Sequence, residues 1–153
     1  MYRKILVAID GSRFTPHVLA EAARLAHDGA QLRLLCVVDN PLATFAAPYG
    51  IAYDTEAVHK ALLEQAGQVV AEAKLALEAK GVRASIDVET VGGQNGVDIP
   101  AAIEAQASAW GAELIIIGTH GRRGVRRLLL GSVAEQLIRQ ATLPVLLVRG
   151  QGA

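Results

Sequence analysis

Apolar positions along the chain recur in two alternating rhythms. Short apolar runs at Ile5–Ile9, Leu32–Val38, Leu114–Ile117 and Val145–Val148 each end at turn-forming or charged residues. Runs of this length read as strands buried on both faces, which means strands covered by helices. Between them the apolar residues return every three or four positions, the period of an amphipathic helix. Val18, Ala22 and Leu25 follow Thr15-Pro16 in this way and stop at Gly29, with the proline in a first turn where its missing N–H costs nothing. Val58, Leu62, Ala66, Val69, Ala73 and Leu77 predict a long helix from Asp54 to Lys80, ended by Gly81. Ile99, Ile103, Ala107 and Trp110 predict another, with Asp98 as its cap, Gly111 as its stop and Trp110 as a core anchor. Residues 132–141 give the last helix. Ala84–Val91 alternates, with Asp87 and Glu89 on one face, as expected of a strand at an exposed edge.

Strand and helix alternating five times argue for a doubly wound α/β fold with a parallel sheet and helices on both faces. With 153 residues the chain has the size of one domain, expected to span 1–153, and no repeat or linker divides it. The longest interruption runs from Asn40 to Tyr53, where Pro41, Pro48 and Gly50 block regular structure and Phe45, Tyr49 and Tyr53 add bulk. It leaves the carboxyl end of a strand, which makes it a candidate lid or partner surface as well as an ordinary variable loop. The Gly92–Gly96 stretch is a loop that could face a ligand, although turn chemistry explains it without one.

Charge and cysteine content narrow the partners. Lys plus Arg and Asp plus Glu number 15 each, so no long-range field attracts nucleic acid, which is disfavoured as a partner. Cys36 is alone, which excludes an intramolecular disulfide or a CxxC motif and fits a reducing cytoplasm. The apolar run near the N-terminus is too short for a signal peptide or a membrane span.

The chemistry concentrates between Leu114 and Val133. A strand ends at Gly118, glycines and arginines alternate, and Gly131-Ser132 opens the last helix. Gly118, Gly121 and Gly131 are expected either to take positive φ or to let a ligand approach the backbone closely. Amides at a helix start, with the helix dipole behind them, make a ready anion site. Ser132 through Glu135 reads as a capping box with Ser132 as the N-cap, and the neighbouring amides, including that of Val133, stay free for phosphate. His120 lies inside the loop without a second histidine at metal-ligand spacing. Arg122, Arg123, Arg126 and Arg127 form the one basic cluster, and one or two of them are expected on a phosphate. Asp10 ends the first strand, where it either bonds its own turn backbone or reaches a ribose hydroxyl or a phosphate-bound Mg²⁺. No GxxxxGK[ST] occurs, and no GxGxxG follows the first strand, so neither a P-loop ATPase nor a typical dinucleotide dehydrogenase is supported.

Gly118-x-x-Gly121, nine residues, then Gly131-Ser132, together with the opening MYRKILVAIDGS and the ending LPVLLVRG, resembles the nucleotide-binding signature and the outer strands of the universal stress protein family. The resemblance covers nearly the whole chain. It implies the strand order 3-2-1-4-5 and binding of ATP with Mg²⁺ or Mn²⁺. Adenine would lie near Val38 and ribose near Ala8, Asp10 and Gly118. Phosphates would lie near His120, Gly121, Arg122, Gly131, Ser132 and Val133. With no clear general base in the motif, slow or no ATP hydrolysis is expected, and the function implied is a nucleotide-dependent stress-response module. Two alternatives stay open: an AMP or cyclic AMP binder, and a homodimeric interaction protein with a vestigial nucleotide site. In the second, two copies pair through the edge strand Val145–Val148.

Overall fold

The computed structural model describes residues 1–40, 42, 47–92, 97–120 and 130–150. Strands β1 (Lys4–Ala8), β2 (Gln31–Val38), β3 (Ser85–Gly92), β4 (Leu114–Gly118) and β5 (Val145–Val148) alternate with helices α1 (Thr15–Leu25), α2 (Thr55–Ala79), α3 (Ile99–Trp110) and α4 (Ser132–Gln140). All strand pairs are parallel and the order is β3-β2-β1-β4-β5. The order matches the expectation, with β1 at the centre: Val7 is in register with Leu34 on one side and Ile116 on the other.

Side chains alternate across the sheet with the period of a strand. Ile5, Val7, Leu32, Leu34 and Ile116 face one layer, where Val18, Leu19 and Ala22 of α1 and Ala66, Val70, Ala73 and Leu77 of α2 cover them. Leu6, Ala8, Leu35, Ile115 and Ile117 face the other, covered by Ile103 and Ala107 of α3 and Leu137 of α4. The helices before the reversal of strand order therefore lie on one face and those after it on the other. Right-handed crossovers require this when winding changes direction. Two details differ from the apolar stripes. In α2 Val70, not Val69, is fully buried, and Leu25 at the end of α1 is exposed. Val69 packs, partly buried, against the same layer as Val70.

Helix ends follow local chemistry. Asp54 caps α2 by accepting from Ala57 N at 3.0 Å, and Asp98 caps α3 by accepting from Ala101 N at 3.0 Å. Gly111 ends α3 in the left-handed region at φ 75°, which a β-carbon would disfavour. Trp110, half-buried, packs on the α3/α4 layer, with the Arg33 guanidinium 4.7 Å and the Lys4 ammonium 5.4 Å from its ring centroid. It is an anchor at the amino end of the sheet, far from the strand ends where ligands bind such folds. β3 lies at an edge, as its charged face suggested.

The 40–53 loop leaves the carboxyl end of β2. Asn40 is fully buried there and accepts from Leu42 N at 3.0 Å, while its amide nitrogen donates to Tyr53 Oη across a long 3.5 Å bond. One buried amide thus ties the two ends of the loop together. Phe45 and Gly93–Gly96 lie outside the described residues.

Replacing Asp98 with Ala removes the acceptor for an otherwise orphaned first-turn amide. It is expected to cost about 1 kcal/mol, measured as a lower urea midpoint with an unchanged m-value.

Candidate functional site

Reversal of strand order between β1 and β4 opens a crevice at the carboxyl edge of the sheet, and there the structure holds a cleft of about 730 Å³. Its floor is made by the ends of three strands: Ala8 to Asp10, Leu35 to Asp39, and Ile117 with Gly118. Val18, Leu62 and Gln65 form one wall, and Ile99, Ile103, Val133 and Gln136 the other. The interior is largely apolar, with polar groups at the strand ends, as in small-molecule sites.

Of the residues singled out from the sequence, Ala8, Asp10, Val38, Gly118, His120, Ser132 and Val133 all line this one cleft. They come from segments more than 120 residues apart in the chain, from Ala8 to Val133. Gly131 stands directly before Ser132. Gly121, Arg122, Arg123, Arg126 and Arg127 lie outside the described residues.

The loop after β4 is pinned at its base. Thr119 N donates to Val148 O at 2.9 Å, and Gly131 N donates to Thr119 O at 2.7 Å, closing the loop across the two chain positions that leave and re-enter the fold. This explains Gly131 differently from the sequence expectation. Its φ is −60°, which any residue adopts, so no positive φ requires glycine there. A Cβ at that position would instead lie 2.8 Å from Thr119 O, inside van der Waals contact with the atom its own amide bonds. Gly118 likewise has no positive φ; a Cβ on it would press on Val18 Cγ2 at 3.3 Å.

Ser132 also differs from expectation. It is the first helical residue of α4, and Gly131 is the N-cap, with no side-chain capping bond. Glu135 N donates to Gly131 O at 2.9 Å, so the first turn closes one residue earlier than a capping box at Ser132 would place it. No first-turn amide donates to the serine hydroxyl. The hydroxyl is therefore not used as a cap, and the amides at the start of α4 lack intrahelical partners, as the first turn of any helix does. Two of their residues, Ser132 and Val133, line the cleft.

Asp10 does bond its own turn: Ser12 N donates to its Oδ1 at 2.9 Å, and Gly11 takes φ 74° to make that turn. His120 Nδ1 lies 3.0 Å from Thr119 Oγ1, and its ring is 5.7 Å from that of Phe14. Phe14 and Thr119 had no sequence signal. Phe14 belongs to the site because the β1–α1 turn brings its ring beside His120, and a Cβ on Gly150 would run into that ring. Among the described residues no group of three or more His, Cys, Asp and Glu is arranged to hold a metal ion, and no helix is long and apolar enough to cross a membrane.

The family model described as the universal stress protein family matches residues 1–149. The chain belongs to that family. It is 34% identical to universal stress protein A homolog 2 of Coxiella burnetii, over 99% of this chain and 98% of that one. A solved universal stress protein structure from Burkholderia pseudomallei is 32% identical, with 96% of each chain covered and a TM-score of 0.71. The structure of the hypothetical protein MJ0577 superposes with a TM-score of 0.82 at 26% identity, covering 100% of this chain and 99% of that one. Two universal stress protein structures of the same fold, at 21% and 24% identity, are complexes with cAMP and, from Archaeoglobus fulgidus, with dAMP; they cover 97% and 96% of this chain and 97% and 98% of their own, with TM-scores of 0.64 and 0.62.

The two readings of the α4 start separate by mutation. Ser132→Ala is expected to leave stability within about 0.5 kcal/mol, since no cap is lost. Gly131→Ala is expected to destabilise by about 1–3 kcal/mol through the collision with Thr119 O. Thermal unfolding of both variants checks the pair.

Proposed function

We propose that this universal stress protein is an ATP-binding regulatory module whose nucleotide lies in the cleft between the carboxyl ends of β1 and β4. The observation that carries the reading is the start of α4, whose first-turn amides have no intrahelical partners and whose Ser132 and Val133 line a cleft that gathers the strand ends of β1, β2 and β4. A phosphate supplies the acceptors these amides lack, and the helix dipole favours its charge. Membership of a family whose solved members include complexes with cAMP and dAMP supports an adenine nucleotide as the ligand class.

In this reading adenine lies against the apolar end of β2 near Val38, ribose beside Ala8, Asp10 and Gly118, and the phosphates on Ser132, Val133, His120 and the Gly121–Arg122 segment. Mg²⁺ or Mn²⁺ enters with the ATP phosphates, Asp10 being the carboxylate at the strand end on that side. The described lining offers no arrangement of base and nucleophile for fast phosphoryl transfer, so turnover below about 1 s⁻¹ is expected. Cys36, the single cysteine of the sequence, fits a reducing cytoplasm. β5 is an edge strand whose Val145, Leu146 and Leu147 are only partly buried, which favours pairing with a second copy into a homodimer. Light scattering at micromolar concentration should then give twice the chain mass, and a monomer would remove this part of the reading.

The nucleotide is tested by thermal unfolding of stripped protein titrated with ATP and Mg²⁺, with GTP, AMP and NAD alongside. At about 100 times Kd, a ligand that binds only the folded state adds about 2.7 kcal/mol. Asp10→Asn keeps the turn, because the amide oxygen still accepts from Ser12 N, and removes only the charge. It is expected to weaken the melting-temperature response to Mg²⁺ with ATP, read against the variant's own ligand-free transition. No response of the wild type to any adenine nucleotide would defeat the proposal.

A further inference from the structure

We infer that Arg13 is a specificity-determining residue that makes the cleft favour a nucleoside polyphosphate over a monophosphate; this rests on the nucleotide reading above and extends it to phosphate number. Arg13 follows directly on the turn that ends β1. Two bonds hold that turn: Ser12 N to Asp10 Oδ1 at 2.9 Å and Phe14 N to Ser12 Oγ at 3.3 Å. The backbone of Arg13 is thus fixed between two bonded neighbours, and its side chain starts from a defined point. Its guanidinium carbon lies 4.9 Å from the centroid of the Phe14 ring, and that ring is 5.7 Å from the His120 ring. Phe14 and His120 both line the cleft. Arginine, phenylalanine and histidine therefore form a strip from the exposed rim to the base of the loop after β4.

Three observations give the strip a direction. First, the described lining carries Asp10, Asp39 and Asp98 and no lysine or arginine, so among the described residues a cation for a polyanion has to come from outside that lining. Secondly, Arg13 is exposed and forms no ion pair among the described residues, whereas Arg24 and Arg139 pair with Glu21 and Glu135 at 2.9 and 2.8 Å. A guanidinium held on an aromatic face keeps its N–H edge available, and that edge fits a phosphate in two-pronged fashion. Thirdly, the start of α4 stands beside His120, with an ideal Cβ on Gly131 3.6 Å from His120 Cα; on the nucleotide reading the first phosphate sits there, and further phosphates extend along the strip toward Arg13. A monophosphate ends before it.

Calorimetric titration of the wild type, Arg13→Gln and Arg13→Lys with AMP, ADP and ATP in Mg²⁺ tests this. Arg13→Gln is expected to weaken ATP by about three- to tenfold, leave AMP within about twofold, and lose less as ionic strength rises. Arg13→Lys should recover part of the ATP preference, since charge returns without the planar fork. A role confined to holding the Phe14 ring would lower the ligand-free melting temperature and affect AMP and ATP alike. That equal loss, or unchanged affinity for both, would overturn the inference while leaving nucleotide binding intact. Failure of the wild type to bind either nucleotide would instead remove the reading on which it stands.

Discussion

The hydrogen bond from Gly131 N to Thr119 O, 2.7 Å long, is the constraint on which the site depends. Thr119 is already held by Val148 O, at the end of the outer strand β5. The second bond brings the start of α4 back against the end of β4 and fixes where its amides point. Without it the helix would begin at an arbitrary distance from the sheet edge. With it, Ser132 and Val133 stand over the same crevice as Asp10 and Gly118. The requirement for glycine at 131 follows from this closeness, because any Cβ would displace the carbonyl that makes the bond.

The sheet supplies the rest of the placement. A central β1 with parallel neighbours on both sides puts three carboxyl ends together, and the change of winding direction leaves the space between β1 and β4 uncovered by a crossover helix. The apolar layers on the two faces make this edge rigid, with Ile5, Leu6, Ile115 and Ile116 fully buried beside it. Polar chemistry is thereby confined to turns: the Asp10–Ser12 turn, Asp39 and Asn40 after β2, and Thr119–His120 after β4. Asn40, buried and bonded to both sides of its loop, does for the end of β2 what Thr119 does for the end of β4.

Much of this was legible in the sequence, and the limits have physical causes. Continuous apolar runs marked four strands, alternation marked β3 and a period of three to four marked the α-helices, because burial on one or two faces writes itself into neighbouring positions. The strand order came from a family resemblance, since no local pattern encodes which strand lies beside which. Asp98 was readable as a cap because an aspartate one residue before a helix bonds an amide only a few residues away, and Asp54, read as the first residue of its helix, proves to cap it in the same way. Ser132 misled for the same reason. The serine and glutamate spacing satisfies the capping pattern equally well when the helix starts one residue earlier, and only the carbonyl of Gly131 settles the register. Gly131 itself was marked as special, but its reason, an approach to Thr119, lies across a loop. Phe14 and Asn40 carried no signal because their partners, His120 for the one and Leu42 N and Tyr53 Oη for the other, are distant in the chain or are backbone atoms.

Hydrogen–deuterium exchange of the protein with and without Mg²⁺ and ATP measures most directly whether a nucleotide occupies the β1/β4 crevice. Protection should appear together in peptides covering Ala8–Ser12, Val38–Asn40, Gly118–His120 and Gly131–Ala134, with Trp110 and the amino end of the sheet unchanged. Protection confined to Val145–Val148, or spread evenly over the molecule without these segments, would contradict a nucleotide bound at the crevice.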